Sequence, residues 1–183
     1  MLDPIKATIL TPGLTLDGRF DATGIPAPTV TKFLAEHGVT IEKTGLYSFF
    51  IMFTIGITKG RWSSLLTALQ QFKDDHARNV PMWRILPDFC KTYPRYEEMG
   101  LRDLCEHVHA IYAGHDIARL TTEMYLEEAV PVMKPGEAYA HIATHRTERV
   151  EIDHLEGRVT TSLITPYPPG IPGAGKIINC RKR

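Results

Sequence analysis

The sequence has 183 residues, 43% hydrophobic and 23% charged, the balance of a globular protein with room for one core or two small ones. Its 21 basic and 21 acidic side chains cancel to a formal net charge of zero, so no overall field gathers phosphate backbones or anionic lipid, and nucleic acid is not an expected partner. The longest uncharged apolar run, Leu46 to Thr58, is shorter than the roughly 18 to 20 residues that cross a bilayer, and the N-terminus carries no basic-then-apolar pattern, so no membrane span or export signal is expected.

Lys6 to Leu10 reads as a short strand stopped by Thr11-Pro12-Gly13, and Leu14 to Ala22 as a polar connection. Pro26 and Pro28 suit the first turn of a helix. Val30, Phe33 and Leu34 form its inward stripe, and Gly38 stands where a left-handed C-cap is wanted. Two strands follow, Val39 to Lys43 and Tyr47 to Ile55, the second rich in the aromatic and β-branched residues of a buried strand. After Gly60 the period lengthens to 3.6, with Trp62, Leu65, Leu66, Leu69 and Phe72 on one helical face.

From Asn79 to Pro94 the pattern breaks, with Pro81, Pro87 and Pro94 among unpaced apolar residues, and a domain boundary is placed near Asn79. Beyond it, Leu104, Cys105, Val108, Ile111 and Tyr112 define one helix. Ile117, Leu120, Met124 and Tyr125 define a second with Asp116 as N-cap, and Pro135 opens a third that runs to about Thr144. Glu148 to Ile152 and Arg158 to Thr165 read as a hairpin across Asp153 to Gly157, before the proline-rich TPYPPGIP. The expected class is α+β: a small antiparallel or mixed sheet covered by helices over 1–79, then a mainly helical domain with a β-hairpin over 80–183.

Chemistry-bearing patterns are few. Gly170 to Lys176 has the spacing of a phosphate loop, but Ile177 replaces the metal-binding hydroxyl and no strand or helix flanks it. His141 and His145 are spaced to share a helical face, yet no third ligand is near, so they read as surface histidines and no metal site is assigned. His107 and His109 point apart on a helix and read as flank residues. Cys90, Cys105 and Cys180 form neither a zinc knuckle nor a disulfide framework, which suits reduced cytoplasmic thiols. Glu42, at the mouth of the core strand, is a solvated turn residue or a reader of a cationic ligand, and geometry alone favours the former.

The segment GIPAPTVTKFLAEHGVTIEKTGLYSFFIMFTIGITKGRW from Gly24 to Trp62, with LDPIK at Leu2 to Lys6 and TPYPPGIP at Thr165 to Pro172, resembles the C-terminal part of the bacterial ornithine/lysine/arginine decarboxylases. The resemblance covers about Leu2 to Pro172 and implies an aspartate-aminotransferase-like fold, pyridoxal phosphate as cofactor of the full-length enzyme, a basic amino acid as substrate and a homo-oligomer. It moves Glu42 to the substrate end, as acceptor for the distal ammonium or guanidinium, and the segment ITKGRW leans toward an arginine or lysine enzyme. None of Lys6, Lys32, Lys43, Lys59, Lys73, Lys91, Lys134 or Lys176 has the Ser/Thr-x-His-Lys context of the family's aldimine lysine. The implied reading is therefore a C-terminal fragment, inactive alone, binding no cofactor by itself and carrying an atypical tail from about 173. Some relatives bind a guanosine alarmone through arginines where Pro81 and Leu101 stand, so that regulation is not expected. The competing reading is a stand-alone, non-catalytic α+β module that binds a protein partner through an uncovered sheet face.

Overall fold

The computed structural model describes residues 3, 5–126, 132–154, 157–161 and 165. Three strands, β1 (Lys6–Leu10), β2 (Lys43–Thr44) and β3 (Ser48–Met52), form an antiparallel sheet in the order β1-β3-β2. β1 pairs with β3 along its whole length, Lys6 against Met52 through Leu10 against Ser48, and Phe53 extends the ladder by donating its N–H to the Ile5 carbonyl at 2.7 Å. β2 pairs over two residues only, Lys43 with Phe50 and Thr44 with Phe49. The strand expected over Val39 to Lys43 is thus shorter. Val39 and Ile41 are apolar because they pack on the core, without entering a ladder.

Helix α1 (Ala27–Glu36) starts after Pro26 and ends before Gly38, whose φ of 76° is the left-handed value the sequence anticipates at that position. α1 presents Val30, Phe33 and Leu34 to the core, and α2 (Lys59–Ala77) adds Leu65, Ala68 and Phe72. Phe33 and Phe72 meet edge to face at 5.4 Å, an arrangement worth about 0.5–1.5 kcal/mol beyond burial. Of the apolar face expected on α2, Trp62 and Leu66 are solvent-exposed.

Short helices α3 (Met82–Ile85) and α4 (Pro87–Thr92) and a 3₁₀ turn at Pro94–Tyr96 replace the expected irregular stretch, and their prolines sit at first-turn positions. The chain then returns to its starting place: the Leu101 N–H donates to the Val80 carbonyl at 2.9 Å and the Met82 N–H to the Met99 carbonyl at 2.9 Å. Helix α5 (Leu101–Gly114) buries Leu101, Leu104, Cys105 and His109. Its N-cap is Gly100, which has no side chain to satisfy the first-turn amides; Asn79 Oδ1 does so instead, accepting from the N–H of Arg102 at 3.0 Å and of Asp103 at 3.3 Å.

Backbone contacts group the chain into two compact units, Met1–Arg119 and Leu120–Arg183. α6 (Ile117–Leu126) crosses that division; Asp116 before it has φ 48° and pairs with Arg119 Nε at 2.7 Å. In the second unit α7 (Pro135–Ala143) opens with the Lys134 N–H donating to Glu137 Oε2 at 3.1 Å and buries Ala138. Where a hairpin is expected, Ile152–His154 is a 3₁₀ turn and residues 148–151 carry no strand ladder, although Arg158 pairs with Glu148 across the turn. Residues 162–164, Lys176, Cys180, the Gly170 to Lys176 loop and most of TPYPPGIP lie outside the described residues. The three-stranded sheet with its packed helices makes the fold α+β.

Candidate functional site

The β2–β3 hairpin is held at its tip by backbone bonds on three sides. Thr11 donates to the Tyr47 carbonyl at 2.9 Å, Ala27 to the Leu46 carbonyl at 2.8 Å, and Gly45 to the Ser48 carbonyl at 2.7 Å. Glu42 stands at the other end of β2, where its N–H donates at 3.1 Å to the carbonyl of Phe50, the residue that Lys43 pairs with. Its residue surface is exposed. An open groove of about 500 Å³ lies between α1 and the hairpin, lined by Thr31, Lys32, Gly38, Thr40, Ile41 and Thr44 among others, and Glu42 is not part of its lining.

A buried polar pair lies under the hairpin tip. Tyr47 is 4% and His109 5% exposed, and the Tyr47 hydroxyl sits 2.6 Å from His109 Nδ1. His109 Nε2 lies 3.0 Å from the Asp21 carbonyl. Phe20 approaches both rings edge-on, at 6.1 Å from Tyr47 and 5.9 Å from His109, and Tyr112 closes the far side of Tyr47 at 6.1 Å. Burial pushes the Tyr47 hydroxyl up to about 12, with the neighbouring Tyr112 and Cys105 adding to the rise. Burial likewise drives the Cys105 thiol up to about 12, so it is not a nucleophile. Gly24 and Gly13 are required by this packing: a Cβ on Gly24 would collide with the His109 ring, and one on Gly13 with the Tyr47 ring.

His109 is therefore not a flank residue, whereas His107 is exposed. A signal was available: His109 follows Cys105 by four positions and precedes Tyr112 by three, which puts it on the buried face of α5. Its partner Tyr47, 62 residues away, has no such local signal. The histidines at 141 and 145 do not share a helical face, because α7 ends at Ala143 and His145 has φ 54° beyond it. His141 lines a cavity of about 410 Å³ in the second unit, together with Arg146, Glu148, Arg158 and Thr160. Among the described residues no three His, Cys, Asp or Glu side chains converge as metal ligands, and no helix is long and apolar enough to cross a membrane.

Comparison with known proteins matches residues 1–61 to the Orn/Lys/Arg decarboxylase major domain and residues 118–174 to the Orn/Lys/Arg decarboxylase C-terminal domain. The chain belongs to the Orn/Lys/Arg decarboxylase family. Among relatives in this family, it is 44% identical over 173 residues to a lysine decarboxylase of Pseudomonas aeruginosa, covering 94% of this chain and 23% of that protein. It is 36% identical over 173 residues to the biodegradative arginine decarboxylase of Escherichia coli K12, again covering 94% of this chain and 23% of that protein. The solved structure of the Escherichia coli constitutive lysine decarboxylase superposes with a TM-score of 0.93 at 36% identity, over 99% of this chain and 26% of that one. The chain thus spans about a quarter of the length of the decarboxylases it matches. Glu42, Tyr47 and their hairpin fall inside the major-domain match, while His109 falls between the two matched segments.

Proposed function

We propose that this chain supplies the substrate end and interface surface of a cytoplasmic, pyridoxal phosphate-dependent decarboxylase of a basic amino acid, working as part of a homo-oligomer. The observation that carries the proposal is the position of Glu42 within the major-domain match, exposed at the end of a tip-anchored hairpin. A carboxylate so placed accepts charge-assisted hydrogen bonds from the distal cation of lysine, arginine or ornithine. Identity is 44% and 36% to lysine and arginine enzymes against 31% to a constitutive ornithine enzyme, which supports a lysine or arginine substrate. The change of pattern at Asn79 is proposed as the junction between the small subdomain of the aminotransferase-like fold (1–79) and the C-terminal domain (80–183).

The described residues do not fit the cofactor. An aldimine requires an enclosed lysine, and Lys6, Lys32, Lys59, Lys73, Lys91 and Lys134 are all exposed, while Lys43 is half-buried in a two-residue edge strand. No step through pyridoxal phosphate is therefore assigned to these residues. The role left to them is recognition: holding a carboxylate at the far end of the substrate and fixing its distance from the reacting centre.

The test places the chain behind the upstream portion of the Pseudomonas aeruginosa relative and replaces Glu42 by Gln, which keeps size and removes charge. Loss of one charge-assisted hydrogen bond to a cation predicts a fall of roughly ten- to a hundredfold in kcat/KM for the preferred amino acid, with cofactor absorbance unchanged. A change within about twofold for lysine, arginine and ornithine alike returns Glu42 to a solvated turn residue. Borohydride treatment of the 183-residue chain with pyridoxal phosphate is the companion measurement, and stoichiometric labelling of one lysine overturns the assignment of the aldimine elsewhere.

A further inference from the structure

We infer that His109, as the neutral ring with its proton on Nε2, is a positioning residue that orients the β2–β3 hairpin and through it Glu42. The step from hairpin to Glu42 rests on the function proposed above; the geometry of the pin does not. A backbone carbonyl only accepts, so the ring nitrogen facing the Asp21 carbonyl at 3.0 Å must carry a proton. In the neutral ring Nδ1 then offers a lone pair, and the Tyr47 hydroxyl at 2.6 Å donates to it. Each polar atom of the buried pair is used once, in one sense, and neither ring can turn without orphaning a group.

The hairpin needs such a pin. A ladder of two residue pairs at a sheet edge is too short to fix a strand's direction by itself, and β2 has no more than that. Its tip is instead tied to the loop before α1 through Thr11 and Ala27, and to α5 through Tyr47 and His109. Phe20 and Tyr112 wall the pair, and Gly13 and Gly24 leave the space the two rings occupy. Glu42 lies just past the two pairs of this ladder, Thr44 with Phe49 and Lys43 with Phe50, and its own N–H bonds to the Phe50 carbonyl. A swing at the tip is therefore delivered to the carboxylate.

The experiment uses the full 183-residue chain labelled with ¹⁵N-histidine. Long-range ¹H–¹⁵N spectra are expected to show His109 protonated at Nε2 and bare at Nδ1. In Tyr47→Phe, and separately in His109→Leu, the amides of Glu42, Gly45 and Thr11 are expected to exchange about tenfold faster while those of Ala68 and Phe72 in α2 keep their rates. His109→Gln, which restores one donor and one acceptor, brings the Glu42 amide back to within about threefold of the parent, a rescue that mere filling of the space by leucine does not give. Should His109→Leu not fold, Tyr47→Phe carries the test. A ring protonated at Nδ1, or a Glu42 amide that exchanges at the parental rate in Tyr47→Phe, overturns the inference. Because exchange is read without substrate, that failure is distinct from a failure of Glu42 to recognise a cation.

Discussion

The two ends of β3 are treated in opposite ways. At its start, Tyr47 is buried, hydrogen-bonded and walled by aromatic rings, so every polar atom of the side-chain pair has a partner. Past its end, Ile55 is fully exposed, and Trp62 and Leu66 on α2 stand about half in solvent beside an apolar groove of about 380 Å³ formed with Phe53, Ile57 and Leu65. One strand thus runs from a region completed by its own chain to a region that the described residues leave open. Local order at the first end comes from directional bonds, and apolar surface at the second is the kind that another surface covers.

The largest break in this comparison is Gly24→Ala. The added Cβ meets the His109 ring and lies 2.9 Å from Gly13 Cα, so the closed end must move as a whole. A loss of about 3 kcal/mol is expected, read as a drop in the urea midpoint with an unchanged slope. Tyr47→Phe is milder: it orphans His109 Nδ1 and should cost about 1–3 kcal/mol. Asn79→Ala removes the cap of α5 and is expected to lower stability by about 1 kcal/mol, with faster amide exchange confined to Arg102 and Asp103.

Alkali sharpens the comparison further. Tyr47 keeps its proton in the folded chain up to about 12, above its ordinary value of 10.0. The contribution of the buried hydroxyl is therefore complete below pH 10 and is lost as pH rises toward 12, because the unfolded chain gives up that proton first. A thermal-melting series across this range should fall more steeply for the parent than for Tyr47→Phe. The smallest effect on stability belongs to the open end, where Ile55→Ser should change it by less than about 0.5 kcal/mol. The same substitution should nonetheless reduce self-association in light scattering. Equal association of parent and variant at tens of micromolar would show that Ile55 takes no part in self-association.

Legibility in the sequence follows the same division between local and distant causes. β1 is visible to the residue, and α1 is visible through Pro26, the Phe33 stripe and Gly38, because each of these acts within a few positions of itself. β2 is overestimated because Val39 and Ile41 look like strand residues while they only pack against the core. Periodicity placed Trp62 and Leu66 on an apolar helical face, but period alone does not say how much of that face a neighbour covers. Glu42 lies one residue before β2, at the end away from the hairpin tip, and not within the longer strand that its apolar neighbours suggest. The burial of His109 is legible from its place on α5, but its partners Tyr47 and Asp21 are not, because both are far off in sequence.

Residues 80–101 make an excursion that comes back to its starting point, with Val80 and Met82 bonded to Leu101 and Met99, Pro81 bridged to Gly100, and Asn79 capping the helix that follows. The excursion is zipped shut at its base, yet it is no surface loop: Met82, Ile85, Leu86 and Cys90 are buried in the same core as Phe33, Phe49 and Phe72. Closing a loop costs only about 0.6 kcal/mol more for each doubling, so length is cheap here and side chains are not: an exchanged α3 and α4 keep the hairpin and α5 in register only where they refill the core positions of Met82, Ile85, Leu86 and Cys90.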